Sequence, residues 1–261
     1  MKFKATLLLS AVLLAVYVAF SNGTPYLPSS LLGAFGLGES PLGLFTHIFL
    51  HVGVIHLAGN LLPLIAFSLL LETVLVWSDV LVIFLASGVL GGALFAFLNP
   101  GVALIGASAA ISGLMAAAAA LKPKRALVLL ITVPLIVAFA LVPLVDFGEH
   151  AFESGLLEKK ASLENEIPML LAQNRTVEAA QANASLQAVS AQAEQTAEGK
   201  ARETATPTDF SVHAFGAFVG VAFLWLFRRR ELRSGLNEYA DLGEYLFSLL
   251  GVARGWRKKK Q

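Results

Sequence analysis

The amino-acid sequence predicts an all-α fold, a polytopic membrane bundle of six transmembrane helices with a soluble helical insertion between the fifth and the sixth. Three observations carry that prediction. Of 261 residues, 56% are hydrophobic and only 14% charged, against roughly 25% charged residues in ordinary soluble domains, and the mean hydropathy is +0.71. Between Lys4 and Lys122 there is no lysine or arginine, and the acids there are Glu39, Glu72 and Asp79 alone, so no soluble surface could be built from that stretch. Finally, the apolar residues fall into runs separated by helix-stopping clusters, and a bilayer core of about 30 Å needs roughly 20 apolar helical residues per crossing.

The runs are residues 5–20, 43–71, 79–98, 104–121, 126–145 and 209–227. Pro25 with Pro28, Trp77-Ser78-Asp79, Asn99-Pro100-Gly101 and Lys122-Pro123-Lys124 separate the first five, each joining a helix breaker or a polar cluster. Pro63, Pro134 and Pro143 lie inside or near the ends of spans, where neighbouring helices satisfy the backbone groups they release. Basic residues orient the chain. Lys2 and Lys4 precede the first span, Lys122, Lys124 and Arg125 separate the fourth from the fifth, and Arg228, Arg229, Arg230 and Arg233 follow the sixth. Six crossings put all three clusters on one side, which the positive-inside rule makes cytoplasmic. The expectation is an integral, multi-pass protein of a prokaryotic cell membrane with both termini cytoplasmic. A basic start before a short apolar run is also the pattern of a signal peptide, but Ala19-Phe20-Ser21 is a poor cleavage site and an uncleaved anchor is expected.

Four regions follow: spans one to five at 1–145, an insertion at 146–208, the sixth span at 209–230 and a cytoplasmic tail at 231–261. The insertion is rich in Ala, Gln, Glu and Ser, with ten acids against five bases, and is expected to be solvated on the exoplasmic side. Leu156, Leu157, Leu163, Ile167, Leu170 and Leu171 recur at helical spacing, and Pro168 is placed to begin a second helix of a hairpin. Asn174-Arg175-Thr176 and Asn183-Ala184-Ser185 match the short glycosylation pattern, which has meaning only in a eukaryotic lumen. Joining the fifth span to the sixth, the insertion is placed to cap or gate the exoplasmic mouth. The tail, with Leu232, Leu236, Tyr239, Leu242, Leu246 and Leu249 among polar residues and Arg257-Lys258-Lys259-Lys260 at its end, reads as an amphipathic interfacial helix on the lipid bilayer.

Polar side chains inside apolar spans are costly and usually have a use. The second span carries His47, His51, His56 and Asn60; the fourth carries Gly106-Ala107-Ser108 and Ser112; the sixth carries His213, Gly216 and Gly220. His56 and Asn60 are one turn apart on a shared helix face, and two polar donors on one buried face are what a developing anion needs. Gly216 and Gly220 make a face of small residues that lets the sixth span approach a neighbour closely, and Gly106, Gly113 and the intervening alanines make the fourth span such a neighbour. Packed together, these helices would bring the His213 imidazole within reach of the Ser108 hydroxyl, the pairing that activates a weak nucleophile. Rival chemistries lack their parts. There are no cysteines, hence no thiol nucleophile and no cysteine metal site; no His-Glu-x-x-His run exists, so no metal or other cofactor is expected. The aspartates nearest membrane depth, Asp146 and Asp209, sit at span ends, and no nucleic-acid partner is expected.

In combination these motifs resemble the rhomboid family of intramembrane serine proteases. The resemblance runs from about Phe45 to Gly220 without the insertion. It rests on His51-Val-Gly-Val-Ile-His56-Leu-Ala-Gly-Asn60, Glu72, Gly88-Val-Leu-Gly91-Gly92, Gly106-Ala107-Ser108, and His213-Ala-Phe-Gly216 with Gly220, in the family's order. It implies Ser108 as nucleophile and His213 as general base without a third acid. It also implies an oxyanion hole formed by the Asn60 side chain, the His56 ring and the Ser108 backbone N–H, with His51, His47, Gly106, Ser112, Gly216 and Gly220 in support. The implied substrates are transmembrane proteins. The sequence departs from the family at Ala109, where glycine is usual, at Ser112, where an aromatic ring often packs beneath the histidine, and in residues 21–42, which lack the family's Trp-Arg pair. Two alternatives remain open: a catalytically silent relative that binds membrane clients, distinguished by failure to react with a serine-directed fluorophosphonate, and a small transporter or channel, distinguished by flux that depends on His51 or His56 and ignores Ser108.

Overall fold

The computed structural model describes residues 3–38, 40–205 and 210–249. The helices are α1 (Lys4–Phe20), α2 (Ser29–Phe35), α3 (Gly43–Thr46), α4 (Val54–Leu71), α5 (Trp77–Leu98), α6 (Ser108–Leu121), α7 (Pro123–Ile136), α8 (Val142–Ala172), α9 (Thr176–Ala205), α10 (Phe210–Phe227) and α11 (Arg229–Leu249). Among the described residues, extended pairing is confined to two isolated bridges, Tyr26 with Gly53 and Leu37 with Leu104. By length and composition α4, α5, the continuous run Pro123–Ala172 and α10 can cross a membrane, while α1 and α6 are apolar but shorter. Around the bundle Leu7, Val18, Leu90, Phe97, Ile131, Phe139 and Phe218 point outward, a surface that only lipid can cover. The chain is an integral membrane protein.

The shorter of those two apolar helices, α6, sits at the centre. Helix α6 packs on α4, α5, α7, α10 and α11, and its alanines and glycines keep it thin enough to be surrounded. The larger core side chains, among them Phe67, Phe84, Ile83 and Leu114, are fully buried where α4, α5 and α6 meet. One end of the bundle collects the basic residues. Glu72 accepts the Ala5 and Thr6 N–H groups at 3.0 and 3.1 Å and so caps α1, Lys4 lies 5.9 Å from the Trp77 ring centroid, and Arg228 donates twice to Asp79 at 2.7 and 2.8 Å. At the same end Gly235 of α11 abuts the Ala120 carbonyl, and Tyr239 donates to the Ala119 carbonyl at 2.9 Å. The opposite end carries the starts of α4, α6 and α10 and the α8–α9 hairpin.

Three boundaries differ from the expectation. The second apolar run is not one helix from 43: it makes α3 and a 3-10 turn at His47–Phe49 and becomes regular only at Val54. Its backbone there is engaged by distant chain, the His47 carbonyl by the Gly106 N–H at 2.9 Å and the Val52 carbonyl by the Leu27 N–H at 2.9 Å. In the fourth run helix begins at Ser108 rather than near 104, because Leu104 pairs with Leu37 in both directions and Gly106 holds φ +115°. Lastly, the helix of the fifth run does not end at 145. It continues as α7, a π turn at Val137–Leu141 and α8, reaching Ala172. The π turn lies between Pro134 and Pro143, neither of which has an N–H to give to the helix ladder.

Pro168 does not start the second helix of the hairpin but lies inside α8. The turn is at Asn174, whose φ is +60°. Its N–H reaches the Leu171 carbonyl at 3.0 Å and the Arg175 N–H the Leu170 carbonyl at 2.9 Å, the paired bonds of a Schellman ending, with asparagine where glycine is commonest. Leu170 with Ala179 and Ala182, flanked by Leu163 and Ile167, then closes the hairpin tip. The tail forms α11 as expected in type, while Asp209 and the terminal Arg257-Lys258-Lys259-Lys260 lie outside the described residues.

Candidate functional site

Helices α6 and α10 meet through their small residues. Gly216 abuts the Ala109 carbonyl and Gly220 the Gly113 carbonyl. Both contacts advance by one helical turn, so the helices run parallel, and their register sets His213, one turn before Gly216, beside the start of α6, where Ser108 is the first residue. A third helix closes the same contact, since a Cβ on Gly91 of α5 would lie 3.2 Å from the Gly216 nitrogen and 3.4 Å from the Ala109 Cβ. The departure at Ala109 is thus accommodated: its methyl group is buried against Gly91, and its φ is not positive.

Being first in α6, Ser108 has a backbone N–H without an acceptor in its own helix, at the end where the helix dipole favours negative charge. No side chain caps this helix. The Ser108 hydroxyl makes no hydrogen bond among the described residues, unlike Ser68, which donates to its own helix at Leu64 at 2.6 Å. The α6–α10 register brings Ser108 and His213 to one level at this end of the bundle. The His213 ring lies 6.4 Å, centroid to centroid, from that of Phe210 in an edge-on arrangement. Ser112, a turn below Ser108 and half-buried, makes no hydrogen bond to His213 either.

The histidines converge on the same loop. A Cβ on Gly106 would fall 2.7 Å from the His56 Nε2, so the ring covers the backbone leading into Ser108, and both that contact and the positive φ admit only glycine. Asn60, one turn further along α4, is buried and donates one amide proton to the His56 carbonyl at 2.9 Å, leaving its second proton for another acceptor. His51 is fully buried with its ring 5.0 Å from that of His56. His47, also fully buried, pairs through Nδ1 with the Gly43 carbonyl at 2.7 Å, and its ring occupies the space a Cβ on Gly92 would need. His47 and His51 are thus packed under the site and closed to solvent.

The hairpin supplies what motif spacing did not reveal. Glu203 Oε1 accepts the His56 N–H at 2.8 Å, Tyr26 donates to Glu149 at 2.9 Å, and Gln195 donates to the Tyr26 carbonyl at 2.7 Å and the Thr24 hydroxyl at 2.8 Å. Burial raises the Glu203 and Glu149 carboxyls above the usual carboxylate range, each opposed by a hydrogen bond donated to it, from the His56 N–H and the Tyr26 hydroxyl respectively. Burial likewise raises the Tyr26 phenol, with Glu149 adding to it.

Residues 39–156 match the family model for the Rhomboid domain. The chain carries a rhomboid domain. The match spans α3 to the early part of α8 and includes His47, His51, His56, Asn60, Gly106, Ser108 and Ser112. It ends within the α7–α8 run, as the hairpin leaves the bundle, so α10 with His213 lies beyond it. No curated protein and no solved structure matches the chain significantly. A serine at the first residue of a buried helix, just after a glycine covered by a histidine of α4 and level with a histidine of α10, is what the rhomboid domain and the following helix hold together here.

Proposed function

We propose that this rhomboid-domain protein is an intramembrane serine endopeptidase that cleaves peptide bonds in or beside transmembrane segments of other membrane proteins. The observation that carries the reading is the parallel contact of α6 and α10, Gly216 on Ala109 and Gly220 on Gly113, whose register supports a pairing of Ser108 with His213.

In this reading the Ser108 hydroxyl attacks the scissile carbonyl carbon while His213 takes its proton. The oxyanion so formed is met by the Ser108 N–H at the start of α6, the free amide proton of Asn60 and the His56 ring. One such donor is worth about 3–4 kcal/mol of barrier. His213 then returns the proton to the leaving amine, and water, deprotonated by the same histidine, releases the acyl group from Ser108. An apolar surrounding favours the neutral imidazole that a base requires. A helical substrate hides its carbonyls, so the segment cleaved must unwind, and glycine and other weak helix formers favour cleavage. The basic end of the bundle faces the cytoplasm and the hairpin the opposite side.

A panel of single-span substrates incubated with the purified protein tests the reading. Cleavage is expected from the wild-type protein and not from Ser108→Ala or His213→Ala of unchanged thermal stability; cleavage retained by Ser108→Ala would contradict it.

A further inference from the structure

Helix α4 begins without a cap of its own. Its N-cap is Gly53, in extended conformation at φ −141° and ψ 176°, with no side chain to offer. The first donors of the helix turn to distant chain instead: the Val54 N–H to the Pro25 carbonyl at 3.1 Å and the His56 N–H to Glu203 Oε1 at 2.8 Å. The second carboxylate oxygen fills the place of the missing side chain, for a Cβ on Gly53 would stand 2.6 Å from Glu203 Oε2 and 2.7 Å from the Tyr26 ring. Glu203 belongs to the last turn of α9, and the chain goes on from it to α10 and His213. One carboxylate therefore ties the start of the helix bearing His56 and Asn60 to the segment feeding the helix that bears His213.

We propose that Glu203 is a positioning residue for the peptidase site, acting as the N-terminal cap of α4 that holds the His56 ring over Gly106 and Asn60 behind it. The inference rests on the endopeptidase reading. A glutamate capping from another helix does by geometry what an N-cap side chain does locally, accepting an orphan N–H and placing negative charge at the positive end of the helix. The His56 N–H that it holds belongs to the residue whose ring covers the approach to Ser108, so loss of the cap frays the turn carrying one oxyanion donor and loosens the turn carrying the other. The insertion thereby becomes a working part of the site.

The test uses the full-length protein in detergent or liposomes, with cleavage kinetics of a single-span substrate and the rate of fluorophosphonate labelling at Ser108 as readouts. Glu203→Ala is expected to lower kcat and the labelling rate per folded molecule by about tenfold with KM unchanged, the scale of a small misplacement of catalytic groups. Glu203→Gln, which keeps an acceptor oxygen, is expected to stay within about threefold of wild type. In a His56→Ala background, Glu203→Ala is expected to add less than about twofold, because its effect passes through that residue. Equal rates in wild type and Glu203→Ala, or the full effect persisting without His56, would overturn the proposal while leaving the peptidase reading standing. A wild-type protein that neither cleaves nor labels would overturn both.

Discussion

Replacing Gly216 by alanine adds a single methyl group at the contact on which the site depends. Built on the observed backbone, that Cβ meets the Ala109 carbonyl, lying 2.7 Å from its carbon and 3.0 Å from the Ala109 Cα. Both neighbours are helix backbone and cannot rotate away, so α10 must retreat from α6 by about 1 Å to reach ordinary contact distance, at a cost of about 1–3 kcal/mol for overpacking. A displacement of that size between two reacting groups costs about a hundredfold in rate. Thermal unfolding and single-span substrate cleavage, both in detergent, give the two numbers, with Gly155→Ala in α8 as control. Nothing lies within 4 Å of a Cβ at Gly155, so that change is expected to leave activity intact and stability equal or about 0.5–1 kcal/mol higher. A Gly216→Ala protein with wild-type rate and stability would refute the argument that the α6–α10 contact sets the dyad.

Two further expectations concern the ends of the bundle. Arg228→Ala breaks the two-bond pair that joins the end of α10 to the start of α5 and is expected to lower stability by about 1–2 kcal/mol, since the pair is partly exposed. Ser108 labelling per folded molecule should stay within about threefold, because α10 keeps its glycine contacts near the site. At the other end, docking of the hairpin buries Glu149 and Glu203 and raises both carboxyls. A carboxyl whose pKa is higher when docked binds protons on docking. Docking is therefore strongest below the ordinary carboxylate range, weakens as pH rises through that range to the raised values, and is level above them. Hydrogen exchange in α9 should accordingly quicken with pH across that window, after correction for the intrinsic rate, and flatten in a Glu149→Gln, Glu203→Gln double variant; a slope unchanged by both substitutions would contradict the assignment.

The parts of this molecule that could be read from the chain were those with a short-range signature. Apolar runs located the six bundle helices, and the spacing of Gly216 and Gly220 anticipated the close approach of α10 to α6, because small residues one turn apart make a groove wherever the helix lands. Boundaries set by distant partners were not readable. The polar-rich stretch from His47 to Gly53 looked like part of a span, yet its carbonyls serve Leu27 and Gly106, contacts with no mark in local hydropathy. Pro168 looked like a helix start but sits in an exposed helix that tolerates it, while Asn174, noticed only as a glycosylation pattern, makes the turn through its left-handed backbone. Glu203 was invisible for the same reason. It lies 147 positions from His56, within an insertion whose acidity read simply as solvated.

The central claim is that Ser108 is a nucleophile activated by His213, and the most direct measurement is mass-spectrometric mapping of the adduct formed when the purified full-length protein is treated with a fluorophosphonate. The account predicts a single phosphonylated serine, Ser108, with labelling lost in His213→Ala at unchanged thermal stability. Wild-type protein that cleaves a single-span substrate but carries no adduct at Ser108, or an adduct undiminished in His213→Ala, would contradict it.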